Sequence, residues 1–236
     1  MYNVLVCDDE KDIVSALEIY LVSDGYRVFK AYNGYEALRV LREENEIHLV
    51  LLDIMMPQMD GIATMQKIRE TSNVPIIMLT AKSEDTDKIL GLSVGADDYV
   101  TKPFNPMEVL ARVKSQIRRY MSLGSGKKEE EDSKYVVGGI ELDDRAKQVT
   151  VDGEPVKLTR TEYDILLLFM RNLGRVFSPN EIYERVWKGD AYGTENTVAV
   201  HIRHLREKIE INPAEPYYLK VMWGRGYKME SGESRG

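Results

Sequence analysis

Four large apolar residues in a row, Leu49-Val50-Leu51-Leu52, run into a carboxylate, Asp53, with Met55-Met56-Pro57 just beyond it. As a strand, so unbroken an apolar run is buried on both faces, and such strands belong to parallel sheets covered by helices on each side. Asp53 then falls just past the carboxyl end of a central strand, where open parallel sheets hold their ligands. An Asp in that place is also an ordinary helix cap or turn former. One segment does not decide between the two.

Three companion runs do. Val4-Leu5-Val6-Cys7 ends in Asp8-Asp9-Glu10, Ile76-Ile77-Met78-Leu79 ends in Thr80, and Asp98-Tyr99-Val100-Thr101 ends in Lys102-Pro103. Arg27-Val28-Phe29-Lys30-Ala31 carries no such group, as expected of a sheet edge. Clustered carboxylates repel one another and call for a cation; a hard divalent ion with oxygen ligands, most simply Mg2+, fits. A lysine and a threonine beside it suit the remaining oxygens of a phosphoryl group.

Between these runs, helical spacing recurs. Ile13, Leu17, Tyr20 and Leu21 predict a helix with one buried face, stopped at Gly25. Gly34 opens another through Ala37, Leu38 and Leu41, and Ile62, Met65 and Ile68 mark a third. Ser83 to Val94 reads as a polar helix with Ile89 and Leu92 on one face. A last one starts at Asn105-Pro106 and buries Val109, Leu110, Val113 and Ile117. Strand and helix alternate five times, which predicts a doubly wound α/β domain on a five-stranded parallel sheet.

That accounts for residues 1–121 of a 236-residue chain, long enough for two modest domains. Residues 122–134, with Gly124-Ser125-Gly126 and a Lys-Lys-Glu-Glu-Glu-Asp run, predict a flexible linker. Residues 135–236 open with short strands at Tyr135–Val137, Ile140–Leu142, Gln148–Val151 and Val156–Leu158, the last pair joined by the hairpin signal Asp152-Gly153. Thr159 and Glu162 form a capping-box pattern ahead of an apolar helix to Asn172, and Ser178-Pro179 starts a second helix. In a third, from about Glu195 to Glu210, Val198, Ile202, Leu205 and Ile209 form one buried stripe. Thr197, Val200, His201, Arg203, His204 and Arg206 are expected away from it. Its cations, Arg203, Arg206 and Lys208, are cancelled by Glu195, Glu207 and Glu210, and the net charge of the chain is −7. Composition therefore predicts only a solvated amphipathic helix, although DNA contact needs no more than a local basic face.

The single cysteine excludes an internal disulfide, and Cys7 reads as buried filler. No apolar run approaches the roughly 20 residues that span a bilayer, and the start lacks a signal segment. A cytoplasmic protein with no membrane partner is expected.

From about residue 3 to 121 the chain resembles the receiver domain of two-component response regulators. That resemblance implies that Asp53 accepts a phosphoryl group from the histidine of a sensor kinase. Asp9, Asp53 and the Met55 carbonyl would ligate Mg2+, with Asp8 acting through water. Thr80 and Lys102 would hold the phosphoryl oxygens, Lys102-Pro103 would be a cis peptide, and Tyr99 takes the aromatic switch position. Neither Met55 nor Lys82, two residues past Asp53 and Thr80, suits orientation of an attacking water, so slow self-dephosphorylation is expected. The protein is then no conventional enzyme.

The order of strands, helices and a terminal hairpin at Gly224-Arg225-Gly226-Tyr227 resembles the winged-helix effector of the OmpR/PhoB subfamily. Asn196-Thr197-Val198-Ala199-Val200-His201-Ile202-Arg203-His204-Leu205-Arg206 follows its recognition-helix pattern. This implies binding of double-stranded promoter DNA, with Val200 and His204 at base edges, Thr197, His201 and Arg203 at phosphates, and Arg225 in the minor groove. It also implies RNA polymerase as a partner. Phosphorylation would drive a homodimer whose ion pairs are Lys88 with Glu108, Asp98 with Arg112 and Asp97 with Arg119, around Ile89, Leu92 and Ala111. Within the subfamily, His201 to Lys208 and the Trp223 wing look like the VanR group, which controls glycopeptide resistance. Two other readings stand beside this one. A phosphatase of the haloacid dehalogenase type also uses a strand-end Asp, a Thr and a Lys, but wants an Asp where Met55 stands. A second domain that binds protein would leave the receiver reading intact.

Overall fold

The computed structural model describes residues 1–44, 46–81, 95–121, 133–189 and 195–231. The chain divides into two compact units, Met1–Gly124 and Ser125–Gly236.

In the first unit the elements are β1 (Asn3–Cys7), α1 (Lys11–Ser23), β2 (Arg27–Ala31), α2 (Gly34–Glu43), β3 (Leu49–Asp53), α3 (Gly61–Thr71), β4 (Ile76–Ala81), β5 (Asp98–Lys102) and α4 (Pro106–Met121). The strands form one parallel sheet in the order β2-β1-β3-β4-β5, with β2 at the edge as expected. All five residues of β3 are buried. Cys7 lies level with Leu52, and Asp53 with Leu79, so the residues after β1, β3 and β4 emerge along one rim. That rim straddles β1 and β3, where the winding reverses and such sheets open a crevice.

One expected core residue moves. The buried stripe of α1 is Val14, Leu17 and Leu21, and Tyr20 is 42% exposed because it sits roughly a quarter-turn off that stripe. The helix expected over Ser83 to Val94 lies outside the described residues, and with it Lys88, Ile89 and Leu92.

The second unit begins with an antiparallel sheet, β6 (Lys134–Val137), β7 (Ile140–Asp143), β8 (Gln148–Val151) and β9 (Glu154–Pro155). Asp152 and Gly153 join β8 to β9 with φ of 50° and 84°, the left-handed pair that a two-residue hairpin turn demands. The fourth strand is thus Glu154–Pro155 and not Val156–Leu158. Pro155 has no N–H to donate, and only Val156 N, 2.9 Å from Val149 O, carries the pairing further. Of the expected linker, residues 122–132 lie outside the described residues, and Lys134 already belongs to β6.

The remaining elements are α5 (Arg160–Met170), β10 (Val176–Phe177), α6 (Pro179–Trp187), α7 (Glu195–Ile209), β11 (Leu219–Met222) and β12 (Gly226–Met229). The three strands form a small sheet in the order β10-β12-β11. α5 starts at the expected capping box: Glu162 N donates to Thr159 Oγ1 at 3.3 Å and Thr159 N to Glu162 Oε2 at 2.7 Å. α6 starts at a second box, Ser178 with Glu181, with Pro179 in its first turn. Phe169, Phe177, Tyr183, Trp187 and the stripe Val198, Ile202, Leu205 and Ile209 close one core. Among the described residues, no helix is long and apolar enough to cross a membrane.

Candidate functional site

The ends of β1, β3 and β5 bring the expected charges together. Asp8 is fully buried, Asp53 nearly so, and Asp9 is exposed, with one carboxylate oxygen from each within 4.8 Å of the others. Lys102 reaches back across the rim. Its Nζ is 2.7 Å from Asp8 Oδ2 and 2.7 Å from Asp53 Oδ1, with Glu10 Oε1 at 3.4 Å. The second oxygen of Asp53 accepts from Met55 N at 2.8 Å, and Asp8 Oδ1 accepts from Glu10 N at 3.0 Å. Both buried carboxylates are therefore pinned by one ammonium and one backbone N–H each.

The loop after β3 is folded tightly enough to hold that geometry. Gly61 N donates to Ile54 O at 2.9 Å, and a Cβ on Gly61 would lie 2.1 Å from the Asp53 carbonyl oxygen. Asp60 caps α3 by accepting from Ala63 N at 2.7 Å. Thr80, at the end of β4, is buried and donates its hydroxyl to Ala81 O at 3.3 Å. Tyr99 lies buried in the middle of β5, and the Lys102–Pro103 bond is cis, as the resemblance implies.

Burial pushes the Asp8 carboxyl above its ordinary value and the Asp53 charge adds to that, while Lys102 and the Glu10 N–H pull the other way. Burial works against the Lys102 ammonium, but hydrogen bonds to Asp53 and Asp8 outweigh it and raise its pKa. The cation thus stays in place between the acids. Burial, reinforced by Asp8, pushes the Cys7 thiol far up, which leaves it protonated and unreactive, the filler that was expected. The donor set fits Mg2+: three carboxylates around one ammonium leave net negative charge, every donor is a hard oxygen, and Asp9 keeps the cluster open to solvent.

The acidic and basic residues of β5 and α4 are already engaged within one chain. Arg112 Nη1 lies 2.8 Å from Asp98 Oδ1, with both side chains buried, and its Nη2 lies 2.9 Å from Glu108 Oε1. Asp97, expected opposite Arg119, holds Arg69 Nη2 at 2.8 Å and accepts from Ile76 N at 2.9 Å. Arg69 also donates to Gly95 O and Val74 O, and so ties α3 to the turn before β5. Arg119 is buried and Ala111 exposed. Arg69 carries no sequence signal for this role, since its acid lies 28 residues away with no periodic relation to it.

In α7 the core stripe is as expected, but the stripe is wider than the apolar pattern. Thr197, His201 and His204, expected on the open face, are 3%, 1% and 1% exposed. Each sits one residue ahead of a core position, Val198, Ile202 or Leu205, and so flanks the stripe; the His201 ring lies 5.3 Å from that of Trp187. Arg203 is exposed beside Glu207, at 3.1 Å, and Val200 is half-buried. Lys208 is held 2.6 Å from the buried Glu162.

The β11–β12 hairpin is closed by Arg225 N donating to Met222 O at 2.8 Å. Gly224 and Gly226 have φ of 67° and 126°, and a Cβ on Gly226 would meet Phe177 O at 2.0 Å. The tip therefore presents Arg225, exposed, and Trp223, 93% exposed.

Comparison with known proteins agrees with both halves. Residues 4–114 match the family described as response regulator receiver domain, and residues 153–229 match transcriptional regulatory protein, C terminal. Regulatory protein VanR of Enterococcus faecium is 44% identical over 230 residues, covering 97% of this chain and 98% of that one. Among solved structures, a point mutant of RitR is 25% identical with a TM-score of 0.67, over 98% of this chain and 99% of that one. Response regulator DrrB, a Thermotoga maritima OmpR/PhoB homologue, is 33% identical with a TM-score of 0.48, over 98% and 99% of the two chains.

Proposed function

The chain belongs to the two-component response regulators of the OmpR/PhoB type, which regulate transcription through a DNA-binding domain, and on that premise we propose that Asp53 is the phosphorylated residue. The observation that carries the reading is Lys102, whose ammonium lies 2.7 Å from both Asp53 and Asp8. It fixes the acceptor carboxylate and provides a cation for the incoming phosphoryl group.

A carboxylate oxygen of Asp53 attacks the phosphorus of the kinase phosphohistidine, the P–N bond breaks, and the electron pair leaves with the histidine nitrogen. Asp8, Asp9, Asp53 and the Met55 carbonyl would hold Mg2+, Asp8 through water; when bound, the ion neutralises repulsion between these carboxylates and the phosphoryl oxygens. Lys102 and Thr80 then hold those oxygens, and the reorientation of Thr80 is passed to Tyr99. Met55 offers no side-chain group to orient a hydrolytic water, which favours a long-lived phosphoprotein; Lys82 lies outside the described residues.

Incubation with Mg2+ and radiolabelled acetyl phosphate tests the assignment. Wild type should take up one equivalent of label that persists for minutes or longer, and Asp53→Asn should take up none. Stoichiometric label on Asp53→Asn would sink the assignment.

Downstream, phosphorylation favours a homodimer on repeated promoter half-sites, in contact with RNA polymerase in the cytoplasm. The face involved comprises Lys88, Ile89, Leu92, Asp97, Asp98, Glu108, Ala111, Arg112 and Arg119. Because Arg112 is held by Asp98 and Glu108 within one chain, an ion pair across two copies requires an exchange of partners. On DNA, Val200 and Arg203 approach the major groove and Arg225 the minor groove. Thr197, His201 and His204 join them only once uncovered.

A further inference from the structure

Glu210 follows the last residue of α7, its N–H still in helical register on Arg206 O at 2.9 Å. Its carboxylate accepts three successive backbone N–H groups across an eight-residue return: Tyr217 at 2.7 Å, Tyr218 at 3.0 Å and Leu219 at 2.8 Å. One turn earlier on the same helix face, Arg206 donates Nε and Nη2 to Leu219 O at 2.9 and 2.6 Å. The first residue of β11 is thus gripped at both of its backbone polar groups, its N–H by an acid and its C=O by a base. The ladder carries that constraint outward, since Leu219 pairs with Met229 and Met222 with Gly226 at the tip.

A carboxylate at the end of a helix that faces phosphates is unfavourable unless its charge is consumed. Here three charge-assisted hydrogen bonds consume it, and Glu210 is only 8% exposed. Ile211 is fully exposed and residues 212–215 are exposed as well, so within the return segment only Tyr217 and Tyr218 add to this grip, beside the β10–β12 pairing and the buried Leu219 and Met229.

We infer that Arg206 and Glu210 are positioning residues: they lock the wing to the C-terminal end of α7, so that helix and wing meet DNA at a fixed spacing. Arg206, an open cation by sequence, acts through the wing and not on phosphate. The inference rests on the reading of Arg225 as a DNA contact of the wing.

A double-mutant cycle on the full-length protein tests it, using genomic promoter fragments selected by the wild-type protein, with anisotropy as the readout. Glu210→Gln leaves one acceptor oxygen for three N–H groups. It should weaken binding about tenfold, within the range for residues that share one network, yet add less than about twofold in an Arg225→Ala background. Arg206→Lys, with a single donor group in place of a fork, should behave the same way. Thermal unfolding of each variant reports on folding separately, and unchanged melting alongside the non-additive loss supports positioning. Penalties of Glu210→Gln and Arg225→Ala that simply add would overturn it, as would unchanged affinity in Glu210→Gln. If Arg225→Ala alone costs nothing, the wing reading fails and takes this inference with it. That outcome is read from a different variant.

Discussion

Asp53 is set by its neighbours before any ligand arrives, and the tightest of them is a residue with no side chain. The Cβ of an alanine at position 61 would press to 2.1 Å on the Asp53 carbonyl oxygen and to 2.9 Å on Ile54 Cα, so backbone must move. Gly61→Ala should cost about 1–3 kcal/mol, the usual range for overpacking a tight site, and should slow phosphoryl uptake beyond what the lost stability explains. Unfolding by urea and label uptake at saturating acetyl phosphate give the two numbers. Equal stability and equal uptake would show that the loop yields freely. Cys7, by contrast, should tolerate Cys7→Ser poorly but resist alkylation, since burial keeps its thiol protonated.

At the scale of elements, the sequence was legible wherever one kind of periodicity dominated. The four apolar runs became β1, β3, β4 and β5, and Val198, Ile202, Leu205 and Ile209 became the buried stripe of α7. It was illegible where a polar side chain is recruited into a core by a partner distant in sequence. His201 looks outward by any apolar pattern, and only the fold brings Trp187 against it. Asp97 with Arg69 is another such case, an ion pair made between the last turns of α3 and the turn before β5.

The wing adds an element whose stability follows pH. Lys220 first, then Lys228, hold Glu230 well below the ordinary 4.5, at about 2. Its folded value is below its unfolded one, so this stabilisation is complete above about 4.5 and is lost as pH falls towards 2. Protection of the β11 and β12 amides, corrected for the intrinsic exchange rate at each pH, should therefore fall over that window in wild type. In Glu230→Gln it should show no such step.

For the whole molecule, the two units were visible from a change in pattern at residues 122–134, but the behaviour of the proposed dimer face was not. Asp97, Asp98, Glu108 and Arg112, which pair between copies by resemblance, are paired inside this chain, so their substitution touches the monomer first. Arg112→Ala leaves Asp98 buried without that partner and should destabilise the unphosphorylated protein by about 3 kcal/mol. Calorimetry of the unphosphorylated chain measures this, and an unchanged melt would mean that the internal pair contributes nothing.

The central claim is that chemistry at Asp53 governs DNA binding by the second unit. It is tested most directly by titrating wild type and Asp53→Asn against the same selected promoter fragment, each with Mg2+ and with or without acetyl phosphate. Tighter binding on phosphodonor addition in wild type, with no change in Asp53→Asn, is the predicted result. An equal gain in both proteins, or none in a wild type shown to be fully labelled, would contradict it.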